Sequence, residues 1–234
     1  MSPSTNALAR SLPPELGSLA RASELRSAGA GALAWRLGWP ELDELLGGVP
    51  RGQLSEWAGP RSAGKTAALR RLVATVLEAG AGAAYVDGAG TLTPAAWIQG
   101  RLGPGAGAAP FWVVRPPEPA GVLAATDELV RSGAFGLVIA EGADWSRVPA
   151  VRLQRLARDT GAALVAVVAR AGKVPLAGLR VQFASEPGSR VYRVRVRGQR
   201  AREVSYAQEL PYRLPGDSGS ADRRGLESEP RYRP

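Results

Sequence analysis

The sequence contains neither histidine nor cysteine among its 234 residues. These two absences exclude a Ser/His/Asp triad, acid–base catalysis by histidine, disulfide bonds and the usual zinc sites. No apolar run approaches the ~20 residues that a membrane helix needs, and the N-terminal stretch has no continuous apolar segment typical of a signal peptide. We therefore expect a cytoplasmic protein that makes no membrane contact.

Lysine is scarce: Lys65 and Lys173 are the only two lysines among 30 basic residues. The formal net charge is nevertheless +9, which favours acidic partners and nucleic acid above all. The abundance of arginine, alanine and glycine is also the composition that a GC-rich genome produces without selection for a partner. The composition leaves both interpretations open.

Apolar residues make up 45% of the chain, enough to build one folded domain of ordinary size. Residues 1–33 mix proline, serine, alanine and arginine, and we interpret them as an N-terminal arm. Residues 34–213 carry the regular apolar patterns of a single domain. Residues 214–234 are polar and bounded by proline, which predicts a disordered tail.

Short apolar strands alternate with amphipathic helices through most of the domain. Strands are predicted at 53–58, 83–86, 111–114, 137–140 and 163–169, and helices at 40–46, 65–79, after Pro94, at 119–131 and at 148–159. This alternation predicts an α/β fold, with a mostly parallel sheet and helices on both faces. After Arg170 only strands follow, at 179–184, 191–197 and 203–206, which predicts antiparallel strands appended at the C-terminal end.

One segment matches the phosphate-binding pattern G-x-x-x-x-G-K-[ST]. Its residues are Gly59, Pro60, Arg61, Ser62, Ala63, Gly64, Lys65 and Thr66. The glycines let backbone N–H groups wrap around phosphate oxygens, and the following helix points its positive end at the anion. Lys65 adds a point charge at the β and γ phosphates, and the Thr66 hydroxyl can ligate Mg²⁺. The segment predicts binding of a nucleoside triphosphate.

The blocks around this loop resemble the bacterial RecA recombinase family, in the same order, from about residue 35 to residue 200. The matching stretches read GGVPRG, GPRSAGKT, AYVDGAGTL, SGAFGLVIAEG, TGAALVAVVAR, LRVQFASEP and VYRVRVRG. The resemblance implies a RecA-like core that binds ATP and Mg²⁺. It also implies that Asp87 belongs to the nucleotide site and that Glu141, at the Walker B position, is a metal ligand and the one candidate catalytic residue.

The departures from that family concern hydrolysis and DNA binding. Ala89 stands where the recombinases have the glutamate that activates the attacking water, and alanine cannot accept a proton. Glu141 replaces the usual aspartate, the strand at 163–169 ends without the family's glutamine, and the segments 142–149 and 170–178 leave little room for DNA loops. Losing the carboxylate costs orders of magnitude in rate, so we expect at most a weak ATPase.

A short RecA-like chain with these losses resembles the ImuA family, also called SulA-like or RecA-like. That resemblance implies an accessory protein of SOS mutagenesis and translesion synthesis. Its implied partners are an ImuB-like, Y-family-like protein and an error-prone polymerase subunit, with RecA and DNA as further candidates. Two alternatives remain open: a DNA-dependent ATPase of recombination, and a cell-division inhibitor of the SulA-like kind that acts by protein interaction alone.

A basic strand lies near the C-terminal end of the domain. At strand spacing Arg193, Arg195 and Arg197 share one face, and Arg200 and Arg202 follow in a turn. Such a face can hold DNA phosphates or a protein partner. It can equally be an edge strand that charge protects against aggregation.

Overall fold

The computed structural model describes residues 34–97, 109–185, 191–197 and 202–207. The arm predicted at 1–33 and the tail predicted at 214–234 lie outside the described residues. The described part of the chain confirms the α/β prediction. None of its helices is both long and apolar enough to cross a bilayer.

The described elements follow one another with short connections. The strands are β1 (Ala34–Trp35), β2 (Val49–Pro50), β3 (Leu54–Ala58), β4 (Gly82–Asp87), β5 (Phe111–Val114), β6 (Phe135–Glu141), β7 (Ala163–Val168), β8 (Leu179–Ser185), β9 (Val191–Arg197) and β10 (Arg202–Ala207). The helices are α1 (Pro40–Leu46), α2 (Lys65–Glu78), α3 (Gly121–Ser132) and α4 (Arg147–Thr160).

Eight of these strands form one sheet, in the order β10-β9-β8-β3-β7-β6-β4-β5. The six strands from β8 to β5 are parallel to one another. Strands β9 and β10 are antiparallel to their neighbours. This is the appended antiparallel edge that the sequence predicts. Strands β1 and β2 pair separately as a short antiparallel ribbon.

Helices cover both faces of the parallel part of the sheet. On one face α2 packs its apolar side, including Leu69, Leu72 and Val76, over Trp57 and Ile139. On the other face α3 and α4 pack over a second cluster of buried apolar side chains. All residues of β3 and β4 are buried, as is usual for parallel strands covered on two sides. The carboxyl ends of β3, β4 and β6 therefore meet at one edge of a rigid core.

A buried glutamate fixes the connection between β7 and β8. Residues 169–178 form this connection without a helix, although β3 lies between the two strands. Glu56 of β3 is fully buried, and its carboxylate accepts N–H bonds from Gly172 at 2.6 Å and Val174 at 2.7 Å. Arg180 donates to the same carboxylate at 3.0 Å. These bonds satisfy the buried charge and hold the connection across the sheet.

The helix predicted after Pro94 is described only at its start. Pro94–Trp97 forms a single 3₁₀ turn, and residues 98–108 lie outside the described part. The Trp97 ring lies 5.1 Å from that of Tyr85 and 5.8 Å from that of Phe111, measured between centroids.

Candidate nucleotide site

The loop at 59–66 leaves β3 and enters α2, as the sequence predicts, with backbone angles that require glycine. Gly59 has φ +151° and Gly64 has φ +89°. A Cβ on Gly59 would lie 2.4 Å from the carbonyl oxygen of Phe183, so even alanine cannot fit without moving β8. Ser62 is also left-handed, with φ +59°, which is strained for a residue other than glycine.

The N-terminus of α2 is open to an anion. Gly64 caps the helix in a left-handed conformation, and no side chain accepts from the first-turn N–H groups. The first turn carries no acidic residue, so nothing there competes with a phosphate for the positive end of this 14-residue helix. Pro60, Arg61, Ser62 and Thr66 are exposed around this end, whereas Ala63 is buried.

Lys65 holds its ammonium group at the mouth of the loop. Its Nζ donates to the carbonyl oxygen of Pro60 at 2.7 Å and to that of Gly59. Burial lowers the pKa of Lys65 below its ordinary value, and the negative charge of Glu141 partly opposes that shift. The cation therefore lies within electrostatic reach of the carboxylate at the end of β6.

Glu141 ends β6 beside the loop and is half-buried. The Tyr85 hydroxyl donates to its Oε2 at 2.6 Å. Burial, and then the neighbouring Glu141 carboxylate, raise the pKa of Tyr85 far above its ordinary value. In the described part of the chain, no group of three or more Asp, Glu, His or Cys side chains could hold a metal ion alone. A Mg²⁺ ion here would depend on Thr66, Glu141 and the phosphates of a nucleotide.

Asp87 ends β4, at the register position opposite Glu141. Its side chain is fully buried and accepts N–H bonds from Thr91 at 3.1 Å and Leu92 at 3.0 Å. Arg115 Nε donates to it at 3.0 Å. These contacts fold the turn that follows β4 and satisfy the buried charge. Contact between Asp87 and a nucleotide stays a prediction.

Two glycines bring the ends of β4 and β6 together. The Gly88 N–H donates to the carbonyl oxygen of Glu141 at 3.0 Å. A Cβ on Gly88 would lie 2.6 Å from that oxygen, and one on Gly142, which has φ +85°, would lie 2.9 Å from the carbonyl carbon of Gly88. Ala89 follows in the exposed turn. Ala89, where the expected carboxylate is missing, therefore directly follows Gly88, whose N–H contacts the backbone of Glu141.

The basic strand shows the predicted alternation where its side chains are described. Arg193 and Arg195 are exposed, whereas Val194 and Val196 are buried. The strand β9 is not an edge strand, because β10 pairs with it and places Glu203 opposite Arg195. Arg200 and the side chains of Arg197 and Arg202 lie outside the described part of the chain. Contact of this face with DNA or a partner stays a prediction.

The fold and the loop together define a P-loop α/β protein. The model of the RecA N-terminal domain matches residues 19–183, and the chain belongs to that family. It is 33% identical over 131 residues to the protein RecA of Treponema pallidum (strain Nichols), a stretch covering 55% of this chain and 30% of that protein. It is 38% identical over 96 residues to the RecA of Caulobacter vibrioides (strain NA1000 / CB15N), covering 41% of this chain and 26% of that protein.

A third relative is similar to about the same degree. The RecA of Borreliella burgdorferi (strain ZS7) is 32% identical over 127 residues, which cover 53% of this chain and 33% of that protein. The chain thus spans a third or less of the length of each of these relatives. The similarity is therefore to one part of each of these proteins.

Proposed function

We propose that this chain is a RecA-like, ATP-binding accessory protein of DNA repair that hydrolyses ATP slowly or not at all. The observation that carries the proposal is that this site keeps its phosphate-binding residues but has no carboxylate at residue 89. The loop at 59–66 keeps the glycines, the lysine and the open helix end that a phosphate tail needs. The turn after β4 has alanine at residue 89, where the resemblance to recombinases implies a catalytic glutamate.

The residues present fit a triphosphate with its magnesium ion. Backbone N–H groups of the loop and of the first turn of α2 would contact the phosphate oxygens. Lys65 would move its charge from the two loop carbonyls to the phosphates, and Thr66 and Glu141 would hold the ion directly or through water. The ion, when bound, neutralises phosphate charge. Asp87 supports the turn beside this site.

Slow hydrolysis follows from the available carboxylates. Ala89 has no group that accepts a proton, and Asp87 is fully buried and paired with Arg115. Glu141 is the remaining acid of this group, and its carboxylate already accepts the Tyr85 hydroxyl. Without a positioned base, the attacking water loses about two to four orders of magnitude in rate. Nucleotide then serves as a structural ligand or a switch.

The accessory role in translesion synthesis rests on the resemblance to the ImuA family and on the short connections beside the site. The resemblance to the recombinases implies that their second DNA loop corresponds to the segment 170–178, and in this chain the connection is held by Glu56. Such a connection suits a scaffold better than a recombinase that reorganises DNA. The proposed partners are an ImuB-like protein and an error-prone polymerase subunit, with RecA and DNA as further candidates.

Partner capture by the full chain tests this role. The immobilised protein is offered the ImuB-like protein and the error-prone polymerase subunit, with ATP and Mg²⁺ or with neither. We expect both partners to be retained, and Lys65→Ala to lower the ATP-dependent part of the retention at least about fivefold, since a lost charge-assisted bond is worth roughly 1.5–3 kcal/mol. Lys173→Ala is the control. Retention by Lys65→Ala equal to the wild type indicates a pure interaction protein, and no retention contradicts the proposed role.

A further inference from the structure

The pair formed by Tyr85 and Glu141 is a polar contact next to the phosphate loop that the motif itself does not require. Strands β4 and β6 run parallel, with Tyr85 opposite Ile139 and Asp87 opposite Glu141. Because side chains alternate along a strand, Tyr85, Asp87 and Glu141 point to the same face of the sheet. The tyrosine ring reaches two residues forward along β6, and its hydroxyl lies 2.6 Å from the Glu141 carboxylate.

The tyrosine is held rigidly. Its side chain is 3% exposed, and its ring packs edge-on against Trp97 at 5.1 Å between centroids. A buried hydroxyl requires a hydrogen-bond partner, and the acceptor that it uses is Glu141. The ring is therefore held in one orientation, and its hydroxyl restrains the group that accepts its hydrogen bond.

Glu141 needs such a restraint more than an aspartate would. The glutamate side chain has one more rotatable bond than aspartate, so more rotamers must be excluded before its carboxylate points at a given place. Asp87 is a like charge at the paired position, and Asp87 is neutralised by Arg115 and two N–H groups. Lys65 attracts the carboxylate from the side of the loop. The Tyr85 hydrogen bond therefore holds the carboxylate in one place.

We infer that Tyr85 is a positioning residue, which orients the Glu141 carboxylate toward the magnesium ion of a bound nucleotide. The inference rests on the proposed function, since it assumes that the loop at 59–66 binds Mg²⁺-nucleotide. A side chain that contacts only the metal ligand can strongly change metal affinity, by about 10–100-fold in known metal sites.

The test is a Mg²⁺ titration of ADP and ATP affinity with the full chain, by calorimetry. Tyr85→Phe removes one oxygen and keeps the ring against Trp97. We expect the Mg²⁺ concentration that gives half of the maximal affinity gain to rise about tenfold. Affinity measured in the chelator EDTA should change less than about twofold, because the loop and Lys65 remain. A purely structural tyrosine would change both affinities together or neither.

A double-mutant cycle makes the test specific to the pair. Glu141→Gln removes the carboxylate charge that would contact the ion, so we expect it to raise the half-maximal Mg²⁺ concentration as well. Adding Tyr85→Phe to Glu141→Gln should then cause no further rise. Trp97→Phe is the matched control, because it keeps an aromatic ring against Tyr85 and leaves the hydroxyl bond in place. It should keep the Mg²⁺ dependence of the wild type.

Failure of the inference and failure of the proposed function give different results. If the wild type binds ADP and ATP with a Mg²⁺ dependence that Tyr85→Phe leaves unchanged, the positioning role is wrong and the nucleotide site stands. The positioning role is equally wrong if the losses in Tyr85→Phe and Glu141→Gln add up in full. If the wild type binds neither nucleotide, the proposed function is overturned, and the inference with it.

Discussion

Lys65→Ala is expected to lower the affinity for ATP about 100-fold, because two charge-assisted hydrogen bonds of roughly 1.5 kcal/mol or more each are lost at the phosphates. In the structure Nζ already lies at the mouth of the loop, bonded to the carbonyl oxygens of Gly59 and Pro60. Lys65 is half-buried, so water would not fully replace the lost ammonium group as a partner of the phosphates. Calorimetry with Mg²⁺-ATP measures the change directly.

The chain offers a matched control for this prediction. Lys173→Ala removes the same side chain and the same charge from an exposed position in the connection between β7 and β8. Its ATP affinity should stay within about twofold of the wild type, since a distant surface charge is screened by salt. If Lys65→Ala and Lys173→Ala bind ATP equally well, the loop at 59–66 is not the nucleotide site.

Glu56→Leu is expected to lower the free energy of unfolding by about 3–5 kcal/mol. The substitution leaves the Arg180 guanidinium without its carboxylate and the N–H groups of Gly172 and Val174 without their acceptor. The Arg180 side chain is 30% exposed and partly recovers its hydration, which favours the lower end of that range. Urea denaturation followed by circular dichroism measures the loss.

Two comparisons show whether the loss comes from this buried network. Glu56→Gln keeps a carbonyl acceptor in the same place and should lose less stability than Glu56→Leu. Arg155→Ala breaks an exposed pair with Asp159, whose charged atoms are 3.9 Å apart, and exposed pairs contribute little. Hydrogen exchange at the Gly172 and Val174 amides should speed up only in the Glu56 variants. A Glu56→Leu protein as stable as Arg155→Ala would show that the carboxylate does not hold the connection.

The sequence predicts those helices and strands whose residue pattern lies within one short stretch of the chain. The helix predicted at 65–79 is Lys65–Glu78 in the structure, and the strand predicted at 111–114 has the same bounds. Apolar spacing is sufficient for these. The phosphate loop is equally local, because eight consecutive residues carry its chemistry.

Contacts between distant residues could not be predicted in this way. Glu56 meets Gly172, Val174 and Arg180 across 116 to 124 positions of sequence, and an acid within an apolar strand is the one sign of it in the sequence. Tyr85 and Glu141 are 56 positions apart. Strand order sets both contacts, and the order β3-β7-β6-β4 depends on how the whole sheet assembles.

The segment after Pro94 begins with a 3₁₀ turn, Pro94–Trp97. Proline at the start of a segment favours a helix, and local preference alone predicts one there. In the structure Trp97 packs against two other aromatic rings, and residues 98–108 lie outside the described part of the chain.

We propose that this protein binds ATP and scarcely hydrolyses it. The most direct measurement combines calorimetry of Mg²⁺-ATP binding with phosphate release from the same sample, with and without single-stranded DNA. We predict saturable binding, and phosphate release that stays near background whether or not DNA is present. Brisk release stimulated by DNA would contradict this account. It would show that another group replaces the carboxylate missing at Ala89 and that the protein is a working DNA-dependent ATPase.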